Sequence, residues 1–159
     1  MSFWIPKLRT RAFHHLHIIK DITMNLQPSE DIFDEDNLIH AYSRADALAD
    51  GVLISLMQGE MEAVCRQHFR FPIAATVGAW ALIQTAVQNT KYSNDYAGVL
   101  HDILYMSRVA GSPIGPKTRC FGVLLKGAAP DCHIHSFRLT CGPGDDLKPV
   151  LTLMLPGEE

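Results

Sequence analysis

The chain has 159 residues, a length that holds one domain and leaves little room for a second. Hydrophobic residues make up 47% and charged residues 19%, which calls for an ordinary globular core and excludes wholesale disorder. A formal net charge of -3 excludes a globally basic nucleic-acid binder, and no apolar run approaches the roughly 18 residues that span a bilayer.

The charge changes sign along the chain. Residues 1–23 carry Lys7, Arg9, Arg11 and Lys20 against Asp21, whereas residues 24–159 carry ten bases and sixteen acids. Glu30, Asp31, Asp34, Glu35 and Asp36 form the densest acidic stretch. The leader has neither the uninterrupted apolar core nor the small-residue cleavage site of a secretory signal. Three readings compete for it: a start codon set too early, with Met24 as the natural first residue; an organelle transit peptide; and a basic arm that touches a partner. Residues 1–36 therefore read as a basic leader and an acidic tether with little order, and 37–159 as a single α+β domain.

From residue 43 the elements follow in order. Ser43, three residues before Asp46, begins a short helix that Asp50-Gly51 stops. Val52-Leu53-Ile54 is a brief buried strand. Met61, Val64, Cys65 and His68 fall at helical spacing in a second helix over about 58–68. Phe71-Pro72 forces extended backbone. Thr76 caps a third helix near 77–88, with Val77, Trp80, Ala81, Gln84 and Val87 on one side and Trp80 as the anchor. A polar loop over 88–95 leads into a fourth helix near 95–109, which Gly111-Ser112-Pro113 ends. The period then changes from 3.6 to 2. Strands are predicted over Cys120–Lys126, Cys132–Cys141 and Pro149–Leu155, joined by turns at Gly127–Asp131 and Gly142–Asp146. Helices followed by strands mean α+β: about four helices packed on one face of a C-terminal three-stranded antiparallel β-meander.

Three segments carry a resemblance: Tyr42-Ser-Arg-Ala-Asp-Ala-Leu-Ala-Asp-Gly-Val-Leu53, Phe69-Arg-Phe-Pro-Ile-Ala-Ala-Thr76 with Trp80, and the closing run from Cys141-Gly-Pro-Gly-Asp-Asp to Leu155-Pro-Gly-Glu-Glu159. Over about 37–159 the chain resembles a bacterial domain family of unknown function found mainly on plasmids, phages and other mobile elements. The family supplies no reaction and no catalytic residues. The resemblance implies a small accessory protein that acts on host machinery by binding it, as anti-CRISPR proteins of similar size do.

Candidate chemistry is sparse. His133 and His135, two apart on a strand, face one side and suit a metal pair, but no third ligand is dictated. Against this stand exposed or core-edge histidines. Cys65 and His68 draw a dyad that lacks an orienting group, so helix packing is the simpler reading. The cysteines at 65, 120, 132 and 141 show no zinc or redox spacing, and without a secretion signal they read as reduced cytoplasmic thiols. Gly142-Pro-Gly-Asp-Asp lacks the Lys-Ser/Thr of a phosphate loop and reads as a hairpin turn, with an acidic recognition loop or a weak Mg²⁺/Ca²⁺ site as the alternative.

The expected function is a non-catalytic binding module with no cofactor, docking on a host protein such as a basic nucleic-acid-binding complex. Its expected contacts are Glu30, Asp31, Asp34, Glu35, Asp36, Asp145 and Asp146, because carboxylates at suitable spacing compete for phosphate-binding grooves. Direct nucleic-acid binding is not expected from an acidic domain. The alternatives are a divalent-metal enzyme built on His133, His135 and the Asp145-Asp146 turn, and a DNA-associated regulator acting through the leader.

Overall fold

The computed structural model describes residues 42–130 and 133–158. The predicted capping box at Ser43 is closed: its Oγ accepts from the Asp46 amide at 3.1 Å, and its own amide donates to Asp46 Oδ2 at 3.0 Å. Helix α1 follows over Arg44–Ala49, then α2 over Gly59–His68, α3 over Val77–Gln88 and α4 over Tyr96–Val109. Thr76 Oγ1 caps α3 through the Ala79 amide at 3.4 Å, and Asp95 Oδ1 caps α4 through the Gly98 amide at 2.7 Å.

The strands are β1 (Leu53–Ser55), β2 (Ile73–Thr76), β3 (Ser112–Pro113), β4 (Thr118–Leu124), β5 (Ile134–Pro143) and β6 (Pro149–Met154). They form one six-stranded sheet in the order β1-β2-β6-β5-β4-β3. The antiparallel β4-β5-β6 meander is present as expected, with Phe121 opposite Phe137 and Leu139 opposite Leu153. The sheet is wider than the predicted three strands because β6 also pairs in parallel with β2, placing Ile73 opposite Leu151 and Ala75 opposite Leu153. Alanines are depleted in strands, so Ile73-Ala-Ala-Thr76 carries almost no strand signal; burial of Ile73, Ala74 and Ala75 overrides that weak propensity. Ser112-Pro113 is both the predicted helix stop and a two-residue edge strand, where a proline lacking N–H is tolerated.

One face of the sheet holds the main core. Ile73, Ala75, Phe121, Val123, Phe137, Leu139, Leu151 and Leu153 meet Val64 and Cys65 of α2, Ala79, Ile83 and Ala86 of α3, and Val99, Leu100, Ile103 and Leu104 of α4. Three helices, not four, share this face. Helix α1 reaches the reverse side, where Arg44 Nη1 donates to Thr152 Oγ1 at 2.9 Å while its Nη2 holds the Leu151 carbonyl at 3.0 Å. Ala47, Ala74 and Met154 are buried outside the main cluster.

The buried side of α3 is also rotated from the predicted one. Ala79, Ile83 and Ala86 face inward, Val77 is exposed, and Trp80 is only partly buried. Small alanines let α3 approach the sheet closely, and the bulky indole is displaced to the flank. There it stacks on Tyr96 with ring centres 5.3 Å apart. Trp80 is a flank contact of the helical layer, not its central anchor.

Candidate functional site

The two turns that flank β6 are built from the acids of the closing motif. Gly144-Asp145-Asp146-Leu147 is a tight turn: the Leu147 amide donates to the Gly144 carbonyl at 2.9 Å, and the Gly144 amide to the Lys148 carbonyl at 2.7 Å. A three-residue hairpin loop of this kind ends on a left-handed residue, ordinarily glycine. Here that residue is Leu147, at φ +62° and 84% exposed.

Asp145 points back at α1. Its two carboxylate oxygens accept from the Arg44 amide at 2.8 Å and the Ala45 amide at 2.9 Å, while Ser43 satisfies Asp46. A residue a hundred positions away thus completes the first turn of α1. Arg44 is part of the same tie. Burial pushes its guanidinium pKa down, and Asp145 pulls it part of the way back. Asp146 pairs instead within the loop, with Lys148 Nζ at 2.9 Å and the Lys148 amide at 3.1 Å. Those hydrogen bonds hold its carboxyl below the ordinary aspartate range.

The second turn, Leu155-Pro156-Gly157-Glu158, has proline at its second position and Gly157 at φ +94° in its third, a type II turn closed by the Glu158 amide on the Leu155 carbonyl at 3.2 Å. Glu158 Oε2 accepts from Thr76 Oγ1 at 2.6 Å and from the Leu155 amide at 2.7 Å, at the start of α3. A Cβ on Gly78 would run into Glu158 Oε1, so glycine there makes room for the carboxylate.

These assignments account for most acids of the described domain. Asp46, Asp95, Asp145 and Glu158 serve helix starts, Asp50 accepts from Tyr42, and Glu62, Asp102 and Asp146 have basic or histidine partners. Arg70, Arg108, Lys117, Arg119 and Lys126 make no ion pair among the described residues. The acidic composition therefore leaves free cations at the surface.

Three of them line a cleft of about 480 Å³ at the open end of the helix–sheet layer. Arg108 comes from the last turn of α4, Lys117 from the loop before β4, and Arg119 from β4; Phe69, Leu139 and Leu151 form the apolar side. The loop is held in place by the Cys141 amide on the Lys117 carbonyl at 2.8 Å, and Arg119 Nη1 lies 3.5 Å from the Arg108 carbonyl. Among the described residues, no carboxylate and no histidine lines the cleft. Net charge concealed this site. Its legible sign is that the sequence between Asp102 and Asp131 holds Arg108, Lys117, Arg119 and Lys126 and no acid.

The remaining candidates do not converge. His135 is half-buried opposite Val123 near the start of β5, and His133 is exposed just before that strand. The Asp145-Asp146 turn lies beyond the other end of β5, and the eight steps from His135 to Pro143 span about 26 Å at ~3.3 Å each. One ion cannot bridge them, which removes the predicted His–Asp metal pairing. No group of three His, Cys, Asp or Glu residues is placed to hold a metal among the described residues. Cys65 donates to the Leu56 carbonyl at 3.6 Å, and burial raises its pKa to about 11, so the drawn Cys65–His68 dyad holds a protonated thiol. Glu30, Asp31, Asp34, Glu35 and Asp36, the basic leader and Cys132 lie outside the described residues. No helix among the described residues is long and apolar enough to cross a membrane.

His68 gives this region a pH dependence. Both of its ring nitrogens are buried without a hydrogen-bond partner among the described residues, and its ring packs edge-on to His101 at 4.9 Å. Burial, then the charges of His101 and Arg108, hold its pKa below the ordinary 6.5. Below about pH 6.5 the unfolded chain takes up a proton that the folded chain refuses, so stability falls with acidification until folded His68 also protonates. Between about pH 7.5 and 5.5, wild type is expected to lose more thermal stability than His68→Gln. Equal losses in the two proteins would exclude His68 as the source.

The fold and its two surface features define a small α+β domain with a strained hairpin tip and a basic cleft. The chain belongs to the family of unknown function DUF6573, which it matches over residues 29–159. The matched span begins upstream of residue 37 and includes Glu30, Asp31, Asp34, Glu35 and Asp36. No curated protein and no solved structure matches the chain.

Proposed function

We propose that this protein is a non-catalytic binding module that docks on another protein through the β5–β6 hairpin tip. The observation that carries this reading is Leu147. A branched apolar side chain in the left-handed region costs about 1–2 kcal/mol, and an 84% exposed leucine recovers none of it by packing within the chain. An apolar group held outward by a rigid turn, with the Asp146–Lys148 pair beside it, has the form of an interface anchor with a polar rim. In the mobile-element setting that the resemblance implies, the partner is a cytoplasmic host protein. The concrete form to test first is an inhibitor of anti-phage defence, including CRISPR. The acidic stretch Glu30–Asp36 supplies a second, electrostatic contact in this reading.

Leu147→Gly separates folding from docking. Relief of the left-handed strain, less the entropy cost of glycine, is expected to stabilise the domain by about 0.5–1 kcal/mol. The same substitution is expected to abolish capture of the host protein that wild type retains from lysate, as read by quantitative mass spectrometry. Undiminished capture by Leu147→Gly would overturn docking through the tip.

A further inference from the structure

We infer that the basic cleft between the end of α4 and the start of β4 binds a nucleoside phosphate. Its position in the layer makes it a built recess, since its apolar side continues the core-facing positions of β5 and β6 while its cations come from α4, the following loop and β4. A volume of about 480 Å³ falls within the roughly 300–1,000 Å³ range of small-ligand sites.

The charge in the cleft selects the ligand. Arg108, Lys117 and Arg119 supply three positive charges, with no lining carboxylate among the described residues. The C-terminal ends of α2 and α4 oppose them with about half a negative charge each, because α4 ends at Arg108 and Val109 and Phe69, the C-cap of α2, lines the recess. About two positive charges remain. A single carboxylate would leave the site overcharged, whereas a phosphate monoester carries about -1.5 to -2 and offers three strong acceptors. Guanidinium groups match phosphate oxygens in paired geometry, and Arg108 and Arg119 both line the cleft, with Arg119 Nη1 3.5 Å from the Arg108 main-chain carbonyl.

The opposite side selects what the phosphate is attached to. Phe69, which is only partly buried, gives an apolar contact beside the buried Leu139 and Leu151 that inorganic phosphate leaves unused and a nucleobase packs against. Free nucleotide and the nucleotides of a single strand share this chemistry. A nucleotide site here runs against the expectation that an acidic domain avoids nucleic acid, but most acids of the described domain are engaged elsewhere, so net charge misstates the charge of this surface. It is independent of the hairpin tip, and the two are tested separately.

Calorimetric titration of the full chain at low salt compares AMP, adenosine, inorganic phosphate and the oligonucleotide dT4. AMP is expected to bind at least tenfold more tightly than either adenosine or inorganic phosphate. Lys117→Glu, a change in an exposed loop, is expected to weaken AMP at least tenfold with an unchanged melting temperature, and Arg119→Ala to weaken it similarly. Tighter binding of AMP than of dT4 assigns the site to free nucleotide; tighter binding of dT4, lost in Lys117→Glu, assigns it to a strand. Failure of both AMP and dT4 to bind, equal affinity for AMP and inorganic phosphate, or wild-type affinity in a folded Lys117→Glu protein would overturn the inference. None of these outcomes bears on capture through Leu147.

Discussion

Phe137→Ala is expected to destabilise the domain by about 3–5 kcal/mol, the usual cost of removing a fully buried aromatic ring. Phe137 is completely buried at the centre of β5, faces Phe121 across the ladder with ring centres 6.1 Å apart, and stands in the layer that α4 covers. Its backbone is fixed by pairing with β4, which limits how far the cavity can collapse. Against a total of about 5–15 kcal/mol for a domain, that loss brings the protein near its unfolding threshold. Chemical denaturation measures it directly. A loss below about 1 kcal/mol would show that the ring is not packed as described.

The paired substitution Asp145→Ala with Glu158→Ala is expected to have the next largest effect, a loss of about 1–2 kcal/mol from each site. Each carboxylate satisfies groups that its removal leaves without a partner: the Arg44 and Ala45 amides for Asp145, and Thr76 Oγ1 with the Leu155 amide for Glu158. The two residues sit beyond opposite ends of the six-residue β6, about 20 Å apart, so the losses should add. Single and double variants compared by denaturation test both size and additivity. Two single variants with wild-type stability would show that the turns hold these helices without their acids.

The helices and the meander were legible because their signals are local. Ser43, Thr76 and Asp95 start helices through side chains within three residues, and β4, β5 and β6 alternate apolar and polar positions over six to ten residues. What stayed hidden depends on partners far along the chain. Ile73–Thr76 is a strand because β6 lies beside it, although its two alanines argue otherwise. Asp145 and Glu158 look like free surface acids until α1 and α3 are brought to them. The cleft combines Phe69 with residues 108–119, 139 and 151, and no local pattern announces such an assembly. Leu147 was illegible for a different reason: a leucine carries no sign of a left-handed backbone, which only the closed hairpin reveals.

The place of β6 in the sheet bears on the order of events during synthesis. It is last in sequence among the described strands, yet it lies between β2 and β5. Until Pro149–Met154 emerges from the ribosome, β1-β2 and β3-β4-β5 are two fragments, each with an unpaired edge. From Thr76 to Pro149 a ribosome adding about 5–20 residues per second takes roughly 4–15 s. For that interval the inner edge of β2, Ile73 with its two alanines, has no parallel neighbour and is open to stray pairing. A nascent-chain chaperone that shields this edge should raise the yield of folded protein more than one acting after release, and chains truncated before residue 149 should aggregate rather than fold as smaller domains.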